Sequence, residues 1–232
     1  MNVKKSGSRL LLIATLLLLL NTATSKAQSR LFMSASQQIT SFRFVDSEGI
    51  LDKNYAPVYN GAYSVGYSYE FDFGLFLKGN TGMRKGGATM VYDAANYQWD
   101  LQFLNTQIGV GYQYPLGMFS PYISVSAYYG YLLKANQRIN NEDYDIIDSK
   151  SMIRHDVGII FSPGVNVNVT EAIRVFGEIS FLRGLQNVEA ESEGKTTLSY
   201  LLGTKNLSSD ITGQVSTNVA YQFTVGLSFA IQ

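Results

Sequence analysis

Residues 218–232 show an unbroken alternation between two kinds of side chain. Every odd-numbered position from Val219 to Ile231 is large and apolar, and every even-numbered position from Asn218 to Ala230 is small or polar. Side chains of a β-strand point alternately to its two faces, so this pattern predicts one long strand. Strands of soluble sheets are usually about five or six residues long. A longer strand that is apolar on one face and polar on the other is typical of the wall of a membrane-spanning barrel.

Seven earlier segments carry a similar alternation. They span residues 31–45, 62–71, 75–84, 99–114, 122–133, 156–169 and 173–182. The connections are long at 46–60, 85–98, 134–151 and 186–215 and short at 72–74, 115–117 and 170–171. An even number of strands with short turns at one end and long loops at the other is typical of bacterial outer-membrane barrels. We therefore predict an all-β fold, an eight-stranded antiparallel up-and-down transmembrane β-barrel whose last strand pairs with its first.

Three strands depart from the regular pattern. In the first, the apolar face is marked by Phe32, Phe42 and Phe44 and is interrupted by polar residues. In the fourth, the apolar positions change parity after Phe103, which predicts a β-bulge in that strand. In the sixth, Pro163 has no backbone N–H to donate, so we expect a bulge or a missing ladder bond there.

The first 27 residues have the three parts of a secretory signal peptide. Basic residues near the start precede an apolar run at 10–20, and the small residues Ser25 and Ala27 follow it at the positions that signal peptidase requires. The apolar run is too short for the roughly 20 residues of a membrane-spanning helix. We therefore expect a signal peptide over residues 1–27 and an outer-membrane β-barrel domain over residues 28–232.

Composition excludes several kinds of chemistry. The leader holds four of the 18 basic residues and no acid, which leaves 14 basic against 18 acidic residues and a net charge of −4. This charge gives no reason to expect nucleic-acid binding. The absence of cysteine excludes disulfides and thiolate metal sites.

No catalytic or cofactor motif is found. The single histidine, His155, is followed by Asp156, but neighbours in a strand point to opposite faces and cannot form a dyad. We therefore expect no enzyme and no cofactor. The acidic residues between Glu142 and Asp148 lack the glycine and terminal glutamate of a calcium loop, so we expect a solvated surface loop.

The two faces of the strands predict two environments. On the apolar face, aromatic residues cluster near the short turns (Tyr112, Tyr114, Phe119) and near the long loops (Tyr63, Tyr129, Tyr131), as in the aromatic belts of membrane barrels. The alternative is that tyrosine is simply a good strand former.

The polar face includes charged residues, namely Glu70, Lys78, Asp156, Arg174 and Glu178. Eight strands enclose a space that side chains fill, and buried charges must be paired. We therefore expect a structural network of ion pairs in the lumen, with Arg174 and Lys78 as its cations, rather than a ring that selects ions.

Three segments carry a family resemblance. Residues 155–165 (HDVGIIFSPGV), 176–188 (FGEISFLRGLQNV) and the pair 121–123 (PYI) and 130–133 (GYLL) resemble strands of the PorT-like outer-membrane β-barrel proteins of Bacteroidota. The resemblance implies an eight-stranded outer-membrane barrel. The founding member belongs to a protein-secretion apparatus, and no catalytic or binding residue carries over.

The expected function is that of a monomeric, non-enzymatic integral protein of the bacterial outer membrane. Its role would be structural, adhesive or that of an assembly partner, and the resemblance implies an accessory role in secretion as the specific version. Expected partners are outer-membrane lipid, a protein bound through the long loops, and the barrel-assembly machinery. The apolar positions of the last strand resemble the signal which that machinery reads (Phe223, Val225, Leu227, Phe229, Ile231).

Two alternatives belong to other functional classes. The first is a passive small-solute porin, which the small expected bore disfavours. The second is a soluble exported barrel that binds an apolar ligand, in which the apolar face of the strands would point inward.

Overall fold

The computed structural model describes residues 28–45, 50–147, 152–188 and 215–231. These ranges contain ten strands: β1 (Gln28–Val45), β2 (Tyr55–Ala56), β3 (Val58–Glu70), β4 (Leu75–Tyr92), β5 (Ala95–Gln113), β6 (Phe119–Ile139), β7 (Glu142–Asp145), β8 (His155–Asn168), β9 (Ile173–Gly184) and β10 (Val215–Ile231). No helix within these ranges is long and apolar enough to cross a membrane. The expected signal peptide and most of the last predicted loop lie outside the described residues.

Eight long strands close into a ring. Around the ring the order is β1, β3, β4, β5, β6, β8, β9 and β10, all neighbours are antiparallel, and β10 pairs with β1. When the cross-strand partners are followed once around the ring from Ser41 of β1, the path returns to β1 at Leu31 and not at Ser41. A stagger of this kind accompanies the tilt of strands in a closed barrel. The eight-stranded antiparallel up-and-down barrel predicted from the sequence is confirmed.

At the end of the barrel that carries the long connections, which we call the loop end, β4, β5 and β6 are longer than predicted. The opposite end, with the short turns, is the turn end. The predicted loop 85–98 is wrong, because β4 runs to Tyr92 and β5 begins at Ala95. The turn residues Asp93 and Ala94 both have positive φ (47° and 61°), as in the tight hairpins that match strand twist. Most of the predicted loop 134–151 is also strand, since β6 continues to Ile139 and pairs with β7. These extensions lack the regular alternation of the membrane wall, so the sequence pattern does not reveal them.

The irregularity near Phe103 lies on a different strand from the predicted one. Gln102 pairs with Lys134 and Phe103 pairs with Leu132, so the extra residue is Leu133 of β6. Strand β5 keeps the same inward-facing set throughout. Its apolar residues change parity because the interior itself changes, from polar in the middle of the barrel to apolar at the loop end.

In β1, the face that points outward is the opposite of the one expected from the sequence. Phe42 is buried, whereas Leu31 and Met33 are 53% and 51% exposed. The phenylalanines thus line the interior, and the expected apolar face of β1 is the lumenal one. Pro163 behaves as predicted, since the pairing of β8 with β9 omits Ser162 and Pro163 and resumes in the same register.

Inward-facing glycines accommodate the rings that fill the lumen. Each of five glycines is the cross-strand partner of an inward aromatic residue, in the pairs Gly66 with Phe32, Gly111 with Phe76, Gly164 with Tyr122, Gly158 with Tyr128 and Gly226 with Phe176. A Cβ atom at any of these glycines would lie 2.3 to 2.4 Å from the partner's ring. The absence of a side chain therefore allows the ring to lie against the neighbouring backbone.

Replacing Gly158 with alanine should destabilise the barrel by about 1–3 kcal/mol, the usual cost of overpacking. The new Cβ would lie 2.2 Å from the backbone oxygen of Arg183, which cannot move aside as a side chain can. Urea unfolding of the purified protein in detergent would measure the change. Gly177→Ala is the matched control, because no atom lies within 4 Å of its added Cβ. Equal stability of both variants would contradict the packing role of Gly158.

Candidate functional site

The outer wall of the barrel is apolar on all eight long strands. Large apolar side chains are exposed at its middle, including Val65, Leu77, Ile108, Val125, Phe161, Ile179 and Val225. Tyr63, Tyr129 and Tyr221 are exposed toward the loop end, and Tyr112 and Tyr114 toward the turn end. Monomeric soluble proteins rarely expose a contiguous apolar surface of this extent. The arrangement matches the lipid-facing band and aromatic girdles of a membrane barrel.

The apolar positions of the last strand belong to this band. Their side chains are exposed on the outer face of β10, between 38% and 57% (Phe223, Val225, Leu227, Phe229, Ile231). Their neighbours Thr224 and Ser228 are buried and point into the lumen. The strand therefore offers a continuous apolar strip to the outside while its polar face completes the interior.

At the turn end of the lumen, the carboxylate of Glu70 accepts two hydrogen bonds and lies near a second arginine. Arg174 Nη1 lies 2.5 Å from Oε1, and Gln113 Nε2 donates to Oε2 at 3.0 Å. Arg30 Nε lies 3.9 Å from Oε1. Arg174 is held in turn by Asn168, whose Oδ1 accepts from its Nε at 2.8 Å. Two arginines therefore converge on one carboxylate.

In the middle of the lumen, Lys78 and Glu178 form a second pair. Lys78 Nζ donates to Glu178 Oε2 at 2.9 Å, and the hydroxyl of Tyr122 donates to the same oxygen at 3.0 Å. The other oxygen accepts from Ser180 Oγ at 2.9 Å. The carboxylate is thus fully satisfied although it is buried, as buried charges require.

The third pair lies closest to the loop end. Arg84 Nη2 is 2.6 Å from Asp156 Oδ2, and both side chains are only 3% exposed. Tyr128 donates its hydroxyl to Asp156 Oδ1 at 3.0 Å, and Asn218 Nδ2 donates to Oδ2 at 2.8 Å. The guanidinium also lies 4.6 Å from the ring centre of Phe103, within the range of a cation–π contact.

All five charged residues predicted for the lumen point inward, but two cations were missed. Arg84 has the same parity as Lys78 in its strand and pairs with Asp156. It could have been found by continuing the polar face of the predicted strand to its last residue. Arg30 lies just before the predicted start of the first strand, so no face was assigned to it.

The lumen is closed at the loop end by an apolar cluster, which we call the cap. Its buried side chains come from the upper parts of the strands and from the segments that follow β7 and β9 (Phe42, Ala88, Trp99, Leu101, Phe103, Leu132, Ala135, Ile146, Met152, Val188). Below the cap, between the turn-end and middle ion pairs, a polar cavity of about 80 Å³ is lined by Glu70, Lys78, Arg174 and Glu178 among others. Such a volume has room for a few water molecules.

Several other titratable residues lie outside the lumen. His155 is exposed on the outer wall, where its Nδ1 is 2.6 Å from the hydroxyl of Tyr129, while Asp156 is buried inside. On the loop side, Arg138 donates to Asp143 at 2.7 Å, and this hydrogen bond lowers the pKa of the Asp143 carboxyl. Within the described residues, no group of three or more His, Cys, Asp or Glu side chains could hold a metal ion. Part of the acidic stretch is strand β7 rather than the expected loop, and Asp148 lies outside the described residues.

These features define a class of protein: a small antiparallel barrel with an apolar outer wall and a polar, ion-paired and capped interior. No model of a known protein family matches the sequence, and no curated protein sequence matches it significantly.

Several solved structures are similar to this chain. OprG from Pseudomonas aeruginosa, an outer membrane protein, is 9% identical, with 89% of this chain and 97% of that chain covered and a TM-score of 0.48. Neisserial surface protein A is 10% identical, with 87% and 97% covered and a TM-score of 0.45. The outer membrane protease OmpT from Escherichia coli is 12% identical, with 91% and 99% covered and a TM-score of 0.37.

Proposed function

We propose that this protein is a non-enzymatic, integral protein of the bacterial outer membrane that presents its loop end to the outside and does not conduct solutes. The observation that carries the proposal is the opposite polarity of the two faces of its wall. Apolar side chains cover the outside of every long strand, while ion pairs and a cap fill the inside. Lipid gives such an outer surface a favourable environment.

The filled interior argues against a porin. A solute that crossed the barrel would have to pass the cap and three buried ion pairs, of which Arg84 with Asp156 is the least exposed. Separating such pairs leaves uncompensated charge in a region of low dielectric, which is costly. The same geometry argues against a soluble ligand-binding barrel, because the apolar face of the strands points outward.

The absence of catalysis is supported by the surroundings of the only histidine. His155 lies on the outer wall against Tyr129 and Tyr131, and its ring nitrogen contacts a tyrosine hydroxyl. A hydrolase of this size needs a base held beside a nucleophile or an activated water. Phenol hydroxyls on a lipid-facing wall do not provide that arrangement.

The biological role that fits best is structural, adhesive or that of an assembly partner. Strands β4, β5 and β6 extend beyond the apolar band and, with β7, form an ordered sheet at the loop end that a partner could meet. The resemblance to PorT-like proteins makes an accessory role in protein secretion the specific version of the proposal. Assembly would require the barrel-assembly machinery, and the folded barrel would be a monomer.

The proposal is tested by where the protein resides and how it migrates. We expect the full chain to stay with the membrane after a carbonate wash and to migrate differently on gels before and after heating, because a closed barrel resists detergent when cold. Release by carbonate would contradict membrane insertion and favour the soluble barrel.

Single-channel recording on the same preparation tests the filled lumen. We expect no stable current steps, whereas a known porin inserted in the same bilayer should give them. Reproducible steps from this protein alone would contradict the non-conducting part of the proposal and favour the porin.

A further inference from the structure

The outer wall carries cations at the loop end of the apolar band. Each of the four lies next to a buried, inward-pointing residue of its strand, so its own side chain points outward. They are on four different strands (Arg43, Lys85, Lys134, Arg183). At the turn end, the described charged residues outside the lumen are the acids Asp72 and Glu171. The loop end also carries the exposed acid Asp100, which pairs with Gly87 and Asn136 and lies two residues from Gln102 on β5, so cations and an acid share the outer face there.

Two of these cations lie side by side across three strands. Lys85 of β4 pairs with Gln102 of β5, and Gln102 pairs with Lys134 of β6. Since neighbouring strands are about 4.8 Å apart, the two lysine backbones are separated by roughly 10 Å. Their flexible ammonium groups can therefore reach a common anion, with the Gln102 amide between them.

Neither lysine forms an ion pair with another described residue. The nearest residues of the band below them are apolar and exposed, with Leu104 at 44% and Leu133 at 40%. The surface therefore combines two positive charges that have no ion pair among the described residues with an apolar strip directly beneath them. This is the order of groups that a lipid with a phosphate headgroup and acyl chains would meet.

We infer that Lys85, Gln102 and Lys134 bind the phosphate-bearing headgroup of an anionic lipid in the leaflet on the loop side. The inference rests on the proposed insertion in the membrane. The two ammonium groups neutralise the phosphate, the amide donates to an oxygen, and the acyl chains lie on Leu104 and Leu133. Basic residues near a membrane surface attract anionic headgroups in this way.

A second cation pair lies on the opposite wall. Arg43 of β1 and Arg183 of β9 flank β10 and are close enough to repel each other. Strands β5 and β10 are four positions apart in the ring of eight, so the two cation pairs face opposite directions. A bound anion would relieve the repulsion between the arginines. Lipid headgroups around the barrel are consistent with this placement, whereas a single soluble ligand would not reach both pairs.

The test is a titration of the folded full chain with diphosphoryl lipid A, followed by native mass spectrometry. Lys85→Gln with Lys134→Gln should weaken binding on the order of tenfold or more, because each basic residue near the headgroups contributes to attraction. The matched control removes two cations farther from the apolar band, with Lys53→Gln and Arg138→Gln, and should bind as the unchanged chain does. Fully dephosphorylated lipid A should bind the unchanged chain and the double variant equally weakly.

Three outcomes would overturn the inference. The first is unchanged binding by the Lys85 and Lys134 variant, and the second is equal weakening by the control variant. The third is displacement of lipid A by an equal concentration of inorganic phosphate, which would assign the site to free phosphate. Any of these outcomes in protein that resists carbonate and shows the heat-dependent gel shift leaves the proposed function intact. Failure of those two properties contradicts the proposed function instead.

Discussion

Asp156→Ala should destabilise the barrel more than any other single substitution of a lumenal charge, by about 3–5 kcal/mol. The change leaves Arg84, which is 3% exposed, with its positive charge uncompensated. Tyr128 and Asn218 lose their acceptor at the same time. Urea unfolding in detergent measures the loss, and the fluorescence of Trp99 reports it directly because this residue is the only tryptophan and lies in the cap.

Two control variants separate charge burial from other effects. Asp143→Ala removes the same group from the exposed pair with Arg138 and should change stability little, since exposed ion pairs contribute little. The combined change Arg84→Met with Asp156→Leu should recover most of the loss, because replacing both buried charges by apolar side chains is often neutral. If Asp156→Ala unfolded at the same urea concentration as the unchanged chain, the buried pair would have no structural role.

Phe229→Asp with Ile231→Asp should abolish assembly into the outer membrane. Both side chains belong to the apolar strip of β10 that we propose the assembly machinery reads, and both are partly exposed on the outer wall. Carboxylates there would place charge on the lipid-facing side of the strand that closes the barrel against β1. The measurement is the amount of heat-modifiable protein in the outer-membrane fraction.

The matched control is Leu116→Asp with Met118→Asp, which adds the same charges to exposed positions of the turn between β5 and β6. This variant should assemble normally. Refolding both proteins in detergent distinguishes recognition from stability, because a variant that folds there but not in cells has lost recognition. Normal levels of folded Phe229 and Ile231 variant in the membrane would contradict the assembly role.

The wall of the barrel could be predicted from the sequence because its two faces meet different media. Along β10 the polarity of each side chain indicates whether it faces lipid or the lumen. Eight strands with such a pattern predicted that β10 pairs with β1. Where the interior is apolar instead of polar, the signal fails. The parts of β4 beyond Arg84 and of β6 beyond Leu133 contribute Ala88 and Ala135 to the cap, and neither extension was predicted.

The interior was predictable in kind but not in detail. Period-two parity predicted Glu178 and Lys78 on the lumenal face, where the structure also places them, because parity depends only on position along a strand. Parity cannot say which residues meet across the barrel, since that depends on the stagger of all eight strands. The pairing of Asp156 with Arg84 therefore required the closed structure. The phenylalanines of β1 were assigned to the wrong face. Aromatic residues that fill the lumen give the same alternating apolar pattern in the sequence as residues that face lipid.

The ion pairs across the lumen also constrain the order of assembly. Each joins β3 or β4 to β8 or β9, and their partners are 104, 100 and 72 residues apart in the chain. An unpaired charge cannot rest in hydrocarbon without a large cost. The early and late hairpins must therefore meet while water still reaches the interior, before the seam between β1 and β10 closes. A half-finished barrel of this sequence would be a water-filled intermediate whose lumenal charges pair before the last seam forms.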